Sequence, residues 1–176
     1  KETDQAEYLT CLESGKLETL LKKVEAKPKD AFYLPAGRVH TIGQGLLLAE
    51  IQQTSDITYR IYDFDRTDKD GKKRELHTDL ALDAIDFSQA EDVRSVYQQE
   101  PNQANVIVSS PYFSTNKFVL SKPKEINRAE LDCFKVYICV AGKGTIANEP
   151  IQFGEVMLVP ASMEKYVIEP EGELEL

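Results

Sequence analysis

The chain has 176 residues, of which 41% are hydrophobic, and 21 Lys+Arg stand against 30 Asp+Glu for a formal net charge of −9. This length suits one domain or two small ones, and the apolar content excludes a disordered acidic tail. No apolar run approaches the roughly 18 residues that span a bilayer, and the acidic charge disfavours phosphate backbones, so we expect no membrane or nucleic-acid partner. Three cysteines make no disulfide framework, which favours the reducing cytoplasm.

The start of the chain predicts helices. It opens on Lys1 without an initiator methionine, and we interpret it as a fragment of a longer protein. Over residues 3–24 apolar side chains recur at helical spacing, Thr3 or Asp4 is placed to cap the first turn, and Gly15 interrupts the pattern. We therefore expect two short helices in this segment.

After these helices the hydrophobic pattern changes to that of strands. Short apolar runs bounded by turn residues predict three strands, over residues 31–34, 46–51 and 58–62. Residues 77–85 have apolar positions at helical spacing and predict a helix. The polar stretch 86–104 predicts a connection.

The last third of the chain predicts an antiparallel β-sandwich or barrel. Six apolar runs are separated by turn residues at short intervals, over residues 106–108, 118–120, 134–140, 144–146, 156–159 and 166–168. Alternation in the third run places Phe134 and Val136 on one face and Cys133 and Cys139 on the other. Packing within a strand accounts for these cysteines without a redox role.

One short internal repeat is visible in the chain. Residues 30–36 and 155–161 each contain an acidic residue, an apolar run and then Pro-Ala, which suggests two copies of one β-unit. His40 of the first copy aligns with Lys165 of the second. If the protein has a metal site, we therefore expect it in the first copy.

Three residues are candidates for chemistry, and each has a structural alternative. His40 follows a Pro-Ala-Gly turn, where it could bind zinc or simply be a hydrogen-bonded loop histidine. Glu50 interrupts an apolar run and is either paired inside the protein or turned outward on an edge strand. Arg60 lies between strand residues and either makes a salt bridge or holds the negative charge of a substrate.

Other patterns predict no catalytic role. The basic run of Lys69, Lys72, Lys73 and Arg74 is typical of a solvated hairpin turn. We interpret His77, next to a helix start, as a structural residue. The chain has no glycine-rich phosphate loop, no GxSxG motif and no CxxC pair.

Two neighbouring motifs carry a resemblance to a known family. The stretches FYLPAGRVHTIG over residues 32–43 and EIQQTSDITYR over residues 50–60 closely resemble type I mannose-6-phosphate isomerases of the short bacterial form. The resemblance continues through residues 62–66 and 74–77 and extends loosely to the end. It therefore covers essentially the whole chain.

The resemblance implies a fold and an activity. Enzymes of that family are zinc-dependent cupins that interconvert mannose 6-phosphate and fructose 6-phosphate. The implied fold is mainly β, with cupin jelly-roll barrels and a few short helices. Residues 1–104 would form the C-terminal part of an incomplete catalytic barrel with a helical insert, and residues 105–176 a second barrel without metal.

The resemblance also implies roles for particular residues. His40 matches the family's last zinc ligand, Arg60 its catalytic arginine, and Glu50 an acidic residue of the same pocket, while Arg66 is a candidate for binding the substrate's phosphate. The family's other zinc ligands, a Gln-x-His pair and a glutamate, have no match in this chain. The chain therefore resembles the C-terminal portion of the enzyme, and we expect it alone to bind no stoichiometric zinc and to show negligible turnover.

A binding module is the alternative function. A non-catalytic cupin could bind a sugar or a protein partner through the same barrel. Retention of His40 with Arg60 favours the enzyme, whereas the missing zinc ligands favour the module. The expected partner of the enzyme is a small sugar phosphate with one zinc ion in each intact site, and the sequence leaves the oligomeric state open.

Overall fold

Regular secondary structure is unevenly distributed in this computed structural model, which describes residues 3–55, 57–64, 66–88 and 93–176. The chain divides into two units, Lys1–Arg94 and Ser95–Leu176. Asp56 and Asp65, which belong to the motifs of the family resemblance, and part of the predicted connection lie outside the described residues.

The helices lie in the first unit, as predicted. Helix α1 spans Gln5–Glu13, a 3₁₀-helix spans Leu17–Leu20, and helix α2 spans Thr78–Ala84. Asp4 caps α1, because its Oδ1 accepts a hydrogen bond of 2.8 Å from the backbone N–H of Glu7. Gly15 separates the first two helices at a φ of +66°. None of the described helices is long and apolar enough to cross a membrane.

The predicted strands of the first unit are wrong. No strand forms over residues 31–34, 46–51 or 58–62, and Phe32 makes only an isolated antiparallel bridge to Arg94. The apolar side chains of the second segment are largely exposed, with Leu47 at 90%. A strand is stable only when a neighbour pairs with its backbone and its apolar face is buried, and the described residues supply neither along this segment.

The second unit holds all nine strands of the described chain. They are β1 Asn105–Ser109, β2 Ser114–Lys117, β3 Val119–Leu120, β4 Lys124–Asn127, β5 Lys135–Ile138, β6 Ala141–Ile146, β7 Glu149–Gln152, β8 Val156–Val159 and β9 Lys165–Glu175. Each of the six predicted runs in this region contains or overlaps a strand. The prediction missed β2, β4 and β7, which are short and mostly polar.

Strand β9 organises the main sheet of the second unit. This sheet has the order β3-β9-β6-β7, and β4 also pairs with β9. Two further pairs, β1-β2 and β5-β8, complete the set, and every pairing is antiparallel. The mainly β fold with short helices is thus confirmed, although no sheet of the described residues closes into a barrel.

Close packing of β6 on β9 requires glycine at two positions. A Cβ atom at Gly144 would lie 2.3 Å from the backbone oxygen of Glu169, and one at Gly142 would lie 2.0 Å from that of Glu173. Gly142 also has a φ of +77°. The strand therefore uses its glycines to approach its neighbour, with a bulge between them.

A single hydrophobic core lies in the second unit. It combines side chains of the main sheet with the inner face of the β5-β8 pair, and its most buried members are Leu120, Ile146, Ile151, Ile168, Leu174 and Cys139. The hydroxyls of Tyr137 and Tyr166 share a buried hydrogen bond of 2.7 Å. This contact joins β5 to β9 and satisfies two polar groups that burial would otherwise leave without partners.

The β5-β8 pair buries the face that carries Cys139 and exposes its apolar face. Tyr137 and Cys139 are buried, whereas Val136 and Leu158, which lie directly opposite each other, are 48% and 59% exposed. Cys139 thus packs as a small hydrophobic residue, as expected, while Cys133 is exposed.

Two leucine-to-alanine changes test which side chains of the second unit lie in its core and which face outward. Leu174→Ala removes a fully buried side chain and should lower the free energy of unfolding by roughly 2–5 kcal/mol. Leu158→Ala removes an exposed side chain of the same size and should cost less than about 1 kcal/mol. Urea unfolding followed by circular dichroism measures both, and equal losses would contradict the assignment.

Candidate functional site

A hairpin carries the predicted catalytic arginine. At its open end the backbone N–H of Arg60 donates to Nδ1 of His77 over 3.1 Å, and the N–H of His77 donates to the carbonyl of Arg60 over 2.7 Å. At its tip Asp68 N–H donates to the carbonyl of Lys72 over 2.9 Å. We call residues 60–77, of which 65 is not described, the arginine hairpin.

His77 fixes the backbone of Arg60 at this end. The Nδ1 atom of the imidazole is the acceptor in this contact, so the side chain as well as the backbone of His77 binds Arg60. The carbonyl of His77 also accepts the first hydrogen bond of α2, from Ala81 over 2.9 Å. The residue therefore joins the arginine hairpin to the helix, in keeping with its interpretation as structural.

A buried carboxylate holds the middle of the arginine hairpin. Asp63 accepts a hydrogen bond of 2.7 Å from Nε of Arg74 and a second, shorter one from Nη2 of the same side chain. It also accepts from Nη2 of Arg66 over 2.5 Å. Two guanidinium groups thus converge on one carboxylate, which leaves a net charge of about +1 on the cluster.

Arg66 is held by the turn that follows Asp63. Its backbone N–H donates to the carbonyl of Asp63 over 3.0 Å, and Phe64 adopts a left-handed φ of +53° to make this turn. The guanidinium carbon lies 5.9 Å from the centre of the Phe64 ring, within reach of a cation–π contact. Backbone, aromatic and carboxylate contacts therefore orient this predicted substrate-binding side chain.

The electrostatics keep Asp63 ionised. Hydrogen bonds from Arg74, supported by those from Arg66, hold the pKa of the Asp63 carboxyl well below its usual range, against the opposing effect of burial. The same pairing raises the pKa of Arg74. The side chains of Arg66 and Arg74 nevertheless remain 62% and 49% exposed, so both cations stay accessible to an anion from solvent.

One interpretation of the basic run was wrong. Arg74 is not merely part of a solvated turn, because it is the main hydrogen-bond donor to Asp63. The turn itself is confirmed by the antiparallel bridge between Thr67 and Lys73. Sequence reasoning missed Asp63 and Arg74, because the register of the Thr67–Lys73 bridge places Arg66, and not Asp63, opposite Arg74.

His40 lies in an exposed loop after a tight turn. Its Nδ1 atom is 2.9 Å from the carbonyl of Arg38. The turn closes with a hydrogen bond of 3.3 Å from the backbone N–H of Arg38 to the carbonyl of Pro35. In the second repeat copy, the backbone N–H of Met163 donates in the same way to the carbonyl of Pro160 over 3.1 Å. The two repeat copies therefore share this turn, although only the second copy forms a strand.

A close contact anchors the first of these turns. Gly37 has a φ of +85°, and a Cβ atom there would lie 2.7 Å from the carbonyl oxygen of Ala84. The carbonyl of Gly37 accepts a hydrogen bond of 2.9 Å from the backbone N–H of Asp86. Only glycine suits this position, which ties the loop before His40 to the end of α2.

The structure does not bring all the predicted site residues together. Arg60 and Arg66 share the arginine hairpin, whereas Glu50 is exposed on the unpaired segment 46–51. Within the described ranges, no hydrogen bond or ion pair joins His40 or Glu50 to the hairpin. The same residues contain no group of three or more His, Cys, Asp or Glu side chains that could hold a metal ion.

Comparisons with known proteins identify the relatives of this chain. It is 34% identical to the mannose-6-phosphate isomerase ManA of Bacillus subtilis over 97% of its length, and 36% identical to the probable mannose-6-phosphate isomerase GmuF of that organism over 93%. These matches cover 56% and 53% of the relatives, so the chain spans about half of their length. No family model matches the chain.

A solved structure supports the same relationship. The mannose 6-phosphate isomerase of Bacillus subtilis superimposes with a TM-score of 0.83 at 30% identity, over 98% of this chain and 56% of that one. The chain is therefore a relative of sugar-phosphate isomerases. More particularly, its sequence and fold match mannose-6-phosphate isomerases, and the resemblance predicted from the sequence is confirmed.

The ion pairs of Asp63 predict a pH dependence of stability. Because the folded pKa is lowered, the stabilisation is fully present above the unfolded pKa of about 3.9 and is lost as the pH falls through the folded value. The protein should therefore lose more stability between pH 5 and pH 2 than the Asp63→Asn variant. Urea unfolding at a series of pH values gives the free energy of unfolding of both proteins. If this free energy fell equally with pH in the two proteins, the pairing of Asp63 would be contradicted.

Proposed function

We propose that this chain forms part of a zinc-dependent mannose-6-phosphate isomerase, which interconverts mannose 6-phosphate and fructose 6-phosphate. The observation that carries the proposal is the match to such isomerases over nearly the whole chain, together with the arginine hairpin that fixes Arg60. We further propose that the chain consists of two cupin-derived regions, residues 1–104 and residues 105–176. The three free cysteines fit a cytoplasmic location.

Arg60 would stabilise the charge that develops during the reaction. An aldose–ketose isomerisation moves a proton between C2 and C1 of the opened sugar through a cis-enediolate. The negative charge of that species needs donors already in place, and a guanidinium offers several N–H groups in a fixed plane. Both backbone groups of Arg60 are held by His77 and its side chain is half-buried, so less ordering is needed during the reaction.

His40 would supply one ligand to the zinc ion. Its Nδ1 contact with the Arg38 carbonyl leaves Nε2 as the coordinating atom, an arrangement common among metal-bound histidines. The described residues do not complete a ligand set by themselves, and we propose that the other ligands come from the rest of the protein. When bound, zinc supplies a Lewis acid that polarises the sugar carbonyl.

The phosphate of the substrate would bind to Arg66 with help from Arg74. Phosphate dianions suit paired guanidinium groups, and Asp63 presents two of them on one hairpin. Arg66, which contacts Asp63 directly, follows Arg60 by six positions, so one hairpin carries both proposed roles. Glu50 would bind the sugar or transfer the proton once its segment is packed.

A mutation of Arg60 tests the proposal. In the full-length protein, Arg60→Ala should lower kcat for mannose 6-phosphate isomerisation by about 10²–10³-fold, because a charge stabiliser is lost. Arg60→Lys should recover only part of the activity, since lysine lacks the planar set of donors. A coupled assay of fructose 6-phosphate formation, with and without a chelator, measures these effects.

Two controls make the test specific. Lys122→Ala removes an exposed cation of the second unit and should leave kcat unchanged. His40→Ala should reduce the zinc content of the purified protein in a metal analysis, independently of turnover. Activity that is absent, or indifferent to both chelation and Arg60→Ala, would contradict the enzyme and favour a binding module.

A further inference from the structure

A buried arginine in the second unit lacks, among the described residues, the partners that its charge requires. Arg128 is 2% exposed, and in that part of the chain its Nη1 contacts only the carbonyl of Val159, at 3.5 Å. Its Nε and Nη2 atoms are buried without any hydrogen-bond partner among the described residues. Burial of an unpaired charge is among the most costly events in folding, so a group of this kind is expected to have an anionic partner.

The surroundings of Arg128 add positive charge instead of cancelling it. Lys135 pairs with Val159 in the β5-β8 ladder, next to the carbonyl that Arg128 contacts. Burial lowers the pKa of Lys135, and the charge of Arg128 acts in the same direction. The two cations are therefore close enough for their charges to interact.

A cavity borders the loop that carries Arg128. It measures about 480 Å³ and is lined by residues 127–131, including Arg128 itself. Glu130 also lines the cavity, but no salt bridge joins it to Arg128 in the described part of the chain. The arginine is therefore not neutralised from within its own loop, and the cavity has room for a small oxyanion.

We propose that Arg128 and Lys135 form a binding site for a phosphate group in the second unit, separate from the arginine hairpin. A phosphate would accept hydrogen bonds from Nε and Nη2 of Arg128 in the paired geometry that guanidinium favours. It would also offset the charge of Lys135. The ligand is inorganic phosphate or a small phosphate ester, and the site does not depend on the proposed isomerase activity.

Thermal unfolding of the full-length protein tests the site. Inorganic phosphate at about 50 mM, compared with chloride of equal ionic strength, should raise the Tm by about 5 °C through preferential binding to the folded state. Arg128→Met should abolish most of this gain. Phosphate bound at the arginine hairpin would act equally on both proteins, so the difference between them reports on Arg128 alone.

Without phosphate, the same substitution should not lower the Tm. If Arg128 is an unpartnered buried cation, Arg128→Met should have a Tm equal to or higher than that of the parent in chloride. Arg128→Lys keeps the charge but not the paired geometry and should retain only part of the phosphate effect. The control Lys122→Met removes an exposed cation of the same unit and should retain all of it.

The outcomes separate this site from a structural arginine. The proposal would be overturned if Arg128→Met failed to fold, or if it lowered the Tm by the same amount with and without phosphate. It would also be overturned if phosphate raised the Tm of the parent and of the variant equally. A gain with mannose 6-phosphate larger than that with inorganic phosphate, and lost in Arg128→Met, would identify a phosphate ester as the ligand. Loss of isomerase activity would leave these readouts unaffected.

Discussion

The candidate site depends on the buried carboxylate of Asp63. It receives Arg66 from the same turn and Arg74 from the opposite side of the arginine hairpin. Without the carboxylate, two guanidinium groups of like charge would lie close together and repel each other. With it, both are oriented while much of each stays exposed. One interaction therefore shapes the hairpin and leaves a positive cluster on a chain whose net charge is −9.

Backbone pairing and burial decide where strands form. Residues 30–36 and 155–161 share a pattern and the turn after it, yet only the second copy forms a strand. In that copy Val159 is buried and pairs with Lys135. The first copy has a single bridge at Phe32. A pattern of apolar residues is therefore necessary for a strand but does not suffice without a neighbour that pairs with it.

The sequence predicted those features that depend on local patterns. Strand β8 has the predicted bounds, and α2 lies within the predicted helix, because apolar spacing and turn residues mark both. Strand β4 was missed, since its residues are mostly polar and it exists through its pairing with β9. The pairing of Asp63 with Arg74 was missed for a similar reason, because it depends on the register of a hairpin. The lack of partners for Arg128 among the described residues follows from its burial, which no local pattern reveals.

We propose that the arginine hairpin holds both the charge-stabilising and the phosphate-binding groups of a sugar-phosphate isomerase. A crystal structure of the full-length protein with fructose 6-phosphate would test this proposal. We expect the phosphate within hydrogen-bond distance of Arg66 or Arg74, and Arg60 beside the C1 and C2 oxygens. A sugar phosphate bound in the active site with its phosphate held by other residues, and with Arg60 turned away from C1 and C2, would contradict it.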